Sequence, residues 1–363
     1  MQEIKNGIDR THLITIHKEP NYGAVLQAFA LYKVIERLGA ESYLINLSMD
    51  YRKLPYTMMN RVLITLKNWI KGYQYCFRKA SDFIFRQCPR LIGDFHTVEE
   101  LNNYPWPMDA IYLVGSDQVW NPGITGSLAP AYTLSFLSER YPNKYAYASS
   151  FGNIKNEAQR AAQLDLGALK RFKQISTREE FGVGFLAKHD IHAITSIDPT
   201  LLIEDYTFLL QRPVIPENCI LFLSLSDTSD INRFVQDVSV QYKLPVKKFY
   251  GYLQPQRKKN LKFIDVEEWL KQIASASLVI TDSFHATVFS ILFNRPFYVY
   301  ISEPTKIYRI SDLLNRLNLQ NRIVKSTSEI NLTEEINYEE VKARLSDYRK
   351  QSLEYLSSII SAK

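Results

Sequence analysis

The sequence predicts an α/β fold of two Rossmann-like, doubly wound domains that face each other across a cleft. The first observation is a repeated alternation of short apolar runs and amphipathic helical patterns, which favours parallel sheets covered by helices. The second is the length of 363 residues, which is long for one hydrophobic core and suits two. The third is a second alternation that starts near Cys219, after a segment with Pro213 and Pro216 that is typical of a linker.

These observations divide the chain into three parts. Residues 1–210 are expected to form the first Rossmann-like domain, with a basic helical insertion at 51–90. Residues 211–335 are expected to form the second Rossmann-like domain. Residues 336–363 form a C-terminal helix that is expected to pack back on the first domain.

The first domain opens with a strand, a turn, a helix and a second strand. Residues 12–16 form a short apolar strand, and residues 24–38 carry apolar side chains at helical spacing until Gly39 ends the helix. A strand at 43–47 completes a β-α-β unit, which implies parallel pairing. Further strands of this domain are predicted at residues 110–114, 144–148, 174–176 and 193–197.

The second domain repeats the alternation. Because its apolar runs are each followed by a helical pattern, a parallel sheet is expected here as well. Its predicted strands lie at 220–225, 246–250, 278–281 and 296–301. Its predicted helices lie at 231–242, at 266–274 and directly after His285, and the last helix of the chain is predicted at 338–360.

Composition indicates an ordinary globular protein of a reducing compartment. The chain is 46% hydrophobic and 23% charged. It has no apolar run of about 18 residues that would predict a membrane span, and its polar first ten residues do not resemble a secretory signal. Its three cysteines, Cys76, Cys88 and Cys219, show no metal or redox spacing. We therefore expect a cytoplasmic protein.

The positive charge of the chain is concentrated in one segment. Of the net +6, the segment 51–90 alone carries +8, from nine basic residues and one acid, Asp82. A general nucleic-acid-binding surface is not indicated, because the rest of the chain is close to neutral. The segment has two interpretations: a peripheral contact with anionic lipid at the inner face of the membrane, or a solvated basic face on packed helices.

His285 lies where the apolar strand at 278–281 gives way to a helical pattern. Ser283 can cap that helix, and the free amides and dipole of its first turn favour a bound anion. An imidazole beside a bound phosphate or carboxylate suits a general acid. The alternative is a histidine whose polar atoms are satisfied at a helix start.

Arg178 also follows a strand and opens a helix. Its planar fork can bind phosphate or carboxylate in a cleft. The alternative is a surface arginine paired with Glu179 or Glu180. Asp198, in Asp198-Pro199-Thr200, is expected to shape the exit from the first domain.

Two strand-end turns of the first domain are rich in hydrogen-bonding groups. Such groups suit sugar hydroxyls, Trp120 could stack on a sugar face, and Asp117 could act as a base or orient a hydroxyl. The alternative is a turn in which Asp117 caps the backbone. The candidate residues are Asn21, Tyr22, Gly23, Gln27, Ser116, Asp117, Gln118, Trp120 and Asn121. The sequence lacks the G-x-G-x-x-G, P-loop, nucleophile-elbow, H-E-x-x-H and cysteine-rich metal motifs, so neither a nicotinamide cofactor nor zinc is expected.

Taken in order, six motifs resemble those of the polysaccharide pyruvyl transferase family. They are NYGAVLQ from 21, LVGSDQVWN from 113, YASSFG from 147, STRE from 176, DPT from 198 and TDSFH from 281. The segment 293–297 and Arg309 with 312–314 also fit the pattern. The resemblance covers residues 12–325 without the insertion at 51–90.

The resemblance implies a glycosyltransferase-B-like fold and phosphoenolpyruvate as the donor substrate. The implied acceptor is a pair of sugar hydroxyls on a glycan or lipid-linked oligosaccharide, as in exopolysaccharide biosynthesis, with no metal or cofactor. The second domain would bind the donor, and the first domain, through the turn residues named above, the acceptor. His285 would be the general acid and Asp117 a helper of the acceptor. Donor contacts would come from Arg178, Ser283, Phe284, His285, Lys306 and Arg309.

Two other functions remain open at this point. A glycosyltransferase that uses a nucleotide sugar would need the same two-domain cleft. A non-catalytic glycan-binding relative would keep the fold without turnover. The acceptor sugar and the oligomeric state are also open.

Overall fold

The structure is a computed structural model that describes residues 10–19, 21–48, 73–152, 157–226, 228–249, 264–301 and 308–361. Two parallel β-sheets dominate it. One has seven strands and the other has five, and every registered strand pair in both is parallel. The predicted pair of Rossmann-like sheets is therefore confirmed.

The first sheet has the strand order β3-β2-β1-β4-β5-β6-β7. Its strands are β1 (Arg10–Ile14), β2 (Glu41–Leu47), β3 (Leu91–Phe95), β4 (Ile111–Val114), β5 (Lys144–Ser149), β6 (Gln174–Thr177) and β7 (Ile194–Thr195). The helices of this part are α1 (Tyr22–Arg37), α2 (Tyr73–Gln87), α3 (Val98–Asn102), α4 (Pro122–Thr125), α5 (Glu157–Gln163), α6 (Leu166–Leu169) and α7 (Glu180–Ala187). A short 3-10 helix, Pro199–Leu202, follows β7.

The second sheet has the strand order β12-β11-β10-β8-β9. Its strands are β8 (Glu217–Leu223), β9 (Val246–Lys248), β10 (Ala276–Thr281), β11 (Phe297–Tyr300) and β12 (Ile323–Val324). The helices are α8 (Ser229–Tyr242), α9 (Val266–Ser275), α10 (Phe284–Leu292), α11 (Tyr308–Arg316) and α12 (Tyr338–Ile360). The predicted domain boundary at residue 211 falls in the segment that separates the two sheets.

One hydrophobic core runs through both parts of the molecule. It contains Leu13 of β1 and Val279 of β10, which belong to different sheets, and both are fully buried. The hydroxyl of Tyr22 donates a hydrogen bond to the carbonyl oxygen of Ile264, directly before α9. The sheets therefore meet in a packed interface near the start of α1, which is where the candidate site lies.

Helix α12 returns to the first sheet, as predicted. The hydroxyl of Tyr355 donates to the carbonyl oxygen of Ala146 in β5, at 2.8 Å. The backbone amide of Ile197 donates to the hydroxyl of Ser352 at 3.1 Å. These bonds tie the last helix to the segment that carries Asp198.

Two edge strands were not predicted from the sequence. β3 contains Gly93 and Asp94, residues that are depleted in strands, and β12 is only two residues long. Neither presents the run of β-branched and apolar residues by which the central strands were recognised.

The basic segment 51–90 lies partly outside the described residues, which resume at Tyr73. In the described part, Arg86 pairs with Glu267 of α9 at 2.5 Å and Arg90 pairs with Glu36 of α1 at 2.7 Å. These two cations are thus neutralised by the protein itself. None of the helices in the described ranges combines the length and apolar character needed to cross a bilayer.

Candidate functional site

Asp198 is the centre of the candidate site. It leaves the first sheet directly before the 3-10 helix and is buried. Its Oδ2 lies 2.8 Å from Nη1 of Arg178 and 3.7 Å from Nε2 of His285. Arg178 follows β6 of the first sheet and His285 opens α10 of the second. The two candidates predicted on different domains therefore share one carboxylate.

Four hydrogen-bond donors hold the carboxylate of Asp198 in that position. Its Oδ1 accepts from the backbone amide of Thr200 at 3.0 Å and from the hydroxyl of the same residue at 2.6 Å. The hydroxyl of Ser116 donates to Oδ2 at 3.3 Å, and Arg178 is the fourth donor. Burial by itself would raise the pKa of Asp198, but His285, Arg178 and Thr200 outweigh burial and hold that pKa well below its usual range. Asp198 is therefore an anion at neutral pH.

Arg178 is a buried cation among three carboxylates. Its Nη1 donates to Asp198, its Nε donates to Glu179 at 3.1 Å, and its Nη2 lies 3.9 Å from Asp117 Oδ1. The guanidinium carbon is 4.6 Å from the ring centre of Phe284. Burial opposes the charge, but the three carboxylates outweigh it and raise the pKa of Arg178 above its usual value. The arrangement holds the fork rigidly and keeps it ionised.

His285 is fixed by the start of α10. Ser283 is the N-cap, and its hydroxyl accepts from the amide of Ala286 at 3.4 Å, which places His285 in the first turn. The side chain is buried, and its Nε2 has no hydrogen-bond partner among the described residues. Gly23 of α1 packs against the ring, since a Cβ there would lie 2.2 Å from Nδ1. A buried ring nitrogen without a hydrogen bond is suited to exchange a proton with a ligand.

A cavity opens on the second-domain side of His285. Its lining includes Gly23, Ser224, Lys248, Ser283 and His285. Lys248 is the last residue of β9 and lies over the ring of Phe222 at 4.5 Å. The cavity thus lies at the carboxyl ends of strands of the second sheet, where α/β folds bind ligands.

The loop after β4 adds Asp117 to the site in a left-handed backbone conformation. Its φ is 67°, in the region that Asp and Asn adopt more readily than other residues with a side chain. Its backbone pairs with Ser149, at the end of β5, and this pairing points its carboxylate towards Arg178. The acceptor role of Asp117 stays a prediction, and the structure places its carboxylate beside Arg178.

Four predicted acceptor contacts have structural duties in this fold. Trp120 is fully buried, and its Nε1 donates to the carbonyl oxygen of Tyr132, so the predicted stacking on a sugar has no exposed ring face. Gln27 is fully buried and donates to the carbonyl oxygens of Ile16 and Ala24. Tyr22 is also fully buried. In this structure the three side chains are therefore supports of the site, and their contact with an acceptor stays a prediction.

The fourth is Asn121. Its Oδ1 caps α4 through the amide of Gly123 and accepts from Arg160 at 2.9 Å, while its Nδ2 donates to Gln118. This bond ties the side chain of Gln118 to its own loop. Asn21 caps α1 by accepting from the amide of Ala24 and so supports the position of Gly23.

Of the remaining predicted donor contacts, two lie beside Arg178 and one is not described. Phe284 stacks under Arg178, and the guanidinium carbon of Arg309 lies 5.9 Å from the same ring. Lys306 lies outside the described residues.

Asp198 and Glu179 are functional candidates that were not predicted as site residues from the sequence. Asp198 was expected only to shape the domain exit, and the signal that could have raised it is its place in one of the six ordered motifs.

A comparison with protein families decides the assignment. The model of the family described as polysaccharide pyruvyl transferase matches residues 21–304, which hold Gly23, Asp117, Arg178, Asp198 and His285. The chain belongs to this family. The resemblance seen in the motifs is confirmed, and as a member of the pyruvyl transferase family the protein is a transferase that modifies polysaccharide. No curated protein matches the chain.

Solved structures with the same fold are distant in sequence. MnaA from S. aureus, solved with UDP, has a TM-score of 0.53 at 11% identity, over 97% of this chain and 90% of that one. The UDP-N-acetylglucosamine 2-epimerase from Rickettsia bellii has a TM-score of 0.51 at 9% identity, over 97% and 99%. A putative UDP-N-acetylglucosamine 2-epimerase from Listeria monocytogenes has 0.51 at 12% identity, over 97% and 91%. These likenesses show the fold alone, and they agree with the predicted glycosyltransferase-B-like arrangement of two Rossmann-like domains.

Proposed function

We propose that this protein transfers the pyruvyl group of phosphoenolpyruvate to a pair of hydroxyls on a glycan or lipid-linked oligosaccharide, forming a ketal. The observation that carries the proposal is the convergence of Arg178 and His285, from two domains, on the carboxylate of Asp198. Family membership supports the same chemistry. The proposal keeps phosphoenolpyruvate as a substrate and requires no metal or cofactor.

The reaction begins with a proton. His285 donates it to the methylene carbon of phosphoenolpyruvate, which makes that carbon a methyl group and leaves cationic character on C2. Asp198, 3.7 Å from Nε2, compensates the charge of the imidazolium before the transfer. The first sugar hydroxyl then forms a bond to C2 and returns its proton to the neutral imidazole of His285.

Phosphate departs in the second half of the reaction. The bond from C2 to the phosphate oxygen breaks with its electron pair, and inorganic phosphate leaves. The second hydroxyl bonds to C2 and passes its proton to the departing phosphate, which closes the ketal. Arg178 holds an anionic group of the donor, and Asp117, beside Arg178, orients a hydroxyl of the acceptor.

Product analysis tests the proposal. The protein is incubated with phosphoenolpyruvate and lipid-linked glycan from its own source, and inorganic phosphate and the ketal methyl signal are followed. Equal amounts of phosphate and ketal support it. Sugar transfer from a nucleotide sugar, without use of phosphoenolpyruvate, would establish the rival glycosyltransferase function. If neither donor is used while glycan is bound, the non-catalytic alternative holds.

The basic segment bears on whether the protein contacts a membrane that carries a lipid-linked acceptor. Arg86 and Arg90 are engaged by Glu267 and Glu36, which supports a packed basic face over a lipid-binding one in this part. Co-sedimentation with vesicles with and without anionic lipid decides between them. A lipid dependence would bring the membrane contact back into the proposal.

A further inference from the structure

The turn that carries Asp198 is held by two side chains of the last helix. The hydroxyl of Ser352 accepts from the backbone amide of Ile197 at 3.1 Å, directly before Asp198. Nε of Arg349 donates to the carbonyl oxygen of Leu201 at 2.6 Å, shortly after Asp198. Helix α12 therefore fixes the backbone on both sides of the central carboxylate of the candidate site.

These two polar residues interrupt the apolar face of α12. The buried positions of the helix recur every three or four residues, which is typical of a helix that packs on a core. They are Val341, Leu345, Arg349, Ser352, Tyr355, Leu356 and Ile359. Burying a polar side chain is costly unless it is hydrogen-bonded, so Arg349 and Ser352 fit this face because each has a partner in the turn.

Two tyrosines of the first part of the chain hold the same turn from other directions. The hydroxyl of Tyr147 in β5 donates to the carbonyl oxygen of Ile197 at 2.9 Å, and that of Tyr206 donates to the carbonyl oxygen of Thr200 at 3.0 Å. All four bonds to the turn are buried. The backbone around Asp198 cannot shift without breaking a buried hydrogen bond.

The carboxylate of Asp198 needs this precision. Its Oδ2 lies 2.8 Å from Nη1 of Arg178 and 3.7 Å from Nε2 of His285, and a misplacement of about 1 Å can cost about 100-fold in rate. Within the described residues, no side chain of α12 forms a hydrogen bond or an ion pair with this carboxylate. Ser352 and Arg349 therefore act on the site through the backbone of the turn.

We propose that Ser352 and Arg349 are positioning residues, which set the place of the Asp198 carboxylate against the imidazole of His285 through the backbone of residues 197–201. This inference rests on the proposed function for the reaction that the site performs, but the placement itself is measured without a substrate. Helix α12 lies beyond residue 304, where the match to the family model ends. The two residues are thus a support that this chain brings to the site from outside the matched segment.

The placement is measured by NMR of the full chain with isotope-labelled histidine. The chain has six histidines, and His285→Gln identifies the imidazole signal of His285 by its loss. Ser352→Ala and Arg349→Met are expected to displace that signal, because the charge of Asp198 moves relative to the ring. Arg349→Lys keeps a cationic donor and is expected to leave the signal nearer to its wild-type position than Arg349→Met does.

The chain offers a matched control on the same face of α12. The hydroxyl of Tyr355 donates to the carbonyl oxygen of Ala146 at 2.8 Å, so it ties the helix to β5 and not to the turn. Tyr355→Phe keeps the ring and its packing on Tyr147. Because Tyr355→Phe and Ser352→Ala each remove one buried hydrogen bond, urea unfolding is expected to show similar losses of stability. Only Ser352→Ala is expected to displace the signal of His285.

Activity gives a second measurement, and the outcomes separate this inference from the proposed function. With phosphoenolpyruvate and acceptor, Ser352→Ala is expected to lower kcat about tenfold and Tyr355→Phe by less than about twofold. A His285 signal that stays in place in Ser352→Ala, or that moves equally in Tyr355→Phe, overturns the positioning role even when the wild type turns over phosphoenolpyruvate. If the signal moves as expected but the wild type does not use phosphoenolpyruvate, the proposed donor is wrong and the positioning role stands. If Arg349→Met does not fold, Ser352→Ala decides.

Discussion

The α-carbon of Gly23 faces the imidazole of His285 so closely that a methyl group on Gly23 would lie 2.2 Å from Nδ1. Gly23 belongs to the first helix of the first domain and His285 to the helix that opens after β10 of the second. The contact therefore limits how closely helix α1 of the first domain can approach helix α10 of the second. It also sets the position of the ring relative to Asp198.

Gly23→Ala is expected to displace the imidazole, because real Cβ atoms do not approach other atoms this closely. We expect a loss of transferase activity of at least about tenfold and a fall of about 1–3 kcal/mol in the free energy of unfolding, as for other overpacked sites. Activity assays and urea unfolding measure the two effects. Gly184→Ala is the control, because nothing lies within 4 Å of a Cβ at Gly184. A fully active Gly23→Ala variant would contradict the close contact.

Asp198→Asn removes the charge shared by Arg178 and His285 while keeping the shape of the side chain. We expect a loss of about 100-fold in kcat, because the imidazolium loses its compensating anion. We also expect a fall of about 3–5 kcal/mol in the free energy of unfolding, because Arg178 loses its buried 2.8 Å ion pair. Steady-state kinetics and chemical unfolding test both expectations.

A surface ion pair provides the comparison for Asp198. Asp190, 95% exposed, lies 4.0 Å from Lys170, so Asp190→Asn is expected to change stability by less than about 0.5 kcal/mol. If the two variants behaved alike, the central role of Asp198 would have to be abandoned.

Arg178→Lys is expected to be a severe substitution although it keeps the charge. The guanidinium serves Asp198 and Glu179 through different nitrogens, and an ammonium on a flexible stem cannot reproduce that geometry. We expect about a 100-fold loss of kcat/KM for phosphoenolpyruvate. Arg344→Lys, on the exposed face of α12 beside Glu340, should be fully active. Near-normal kinetics in Arg178→Lys would show that only the charge matters.

Glu19 makes stability depend on pH. Burial raises its pKa to about 7, and the charge of Asp117 adds to the rise. Between about pH 4.5 and pH 7 the folded protein keeps a proton that the unfolded chain has lost, so the free energy of unfolding falls as the pH rises through this range. Because the side chain keeps some contact with solvent, the effect is smaller than the full shift implies.

Glu19→Gln removes this titration. Relative to wild type, the variant should gain stability from pH 5 to about pH 7 and then level off, as followed by urea unfolding at each pH. The exposed residue Glu335 offers a control, and Glu335→Gln should run parallel to wild type. Parallel curves for Glu19→Gln would refute the raised pKa.

The central strands and their order of alternation were predictable because buried parallel strands are continuous apolar runs bounded by turns. The role of Asp198 could not be predicted in the same way. An Asp-Pro-Thr turn has the same local sequence whether or not an arginine and a histidine from distant segments contact its carboxylate. Trp120 shows the converse: a tryptophan in a loop suggests an exposed ring, and only the carbonyl of Tyr132 and the ring of Phe151 reveal that it is enclosed.

Helix α12 has a consequence for biosynthesis. Its residue Tyr355 packs against Tyr147 of the first sheet, Leu356 and Ile359 belong to the same hydrophobic core, and Arg349 donates to the carbonyl oxygen of Leu201. Those contacts cannot form until residues 338–360 have left the ribosome. The first sheet, although it is translated first, therefore lacks its cover on this side until the last helix of the chain is available.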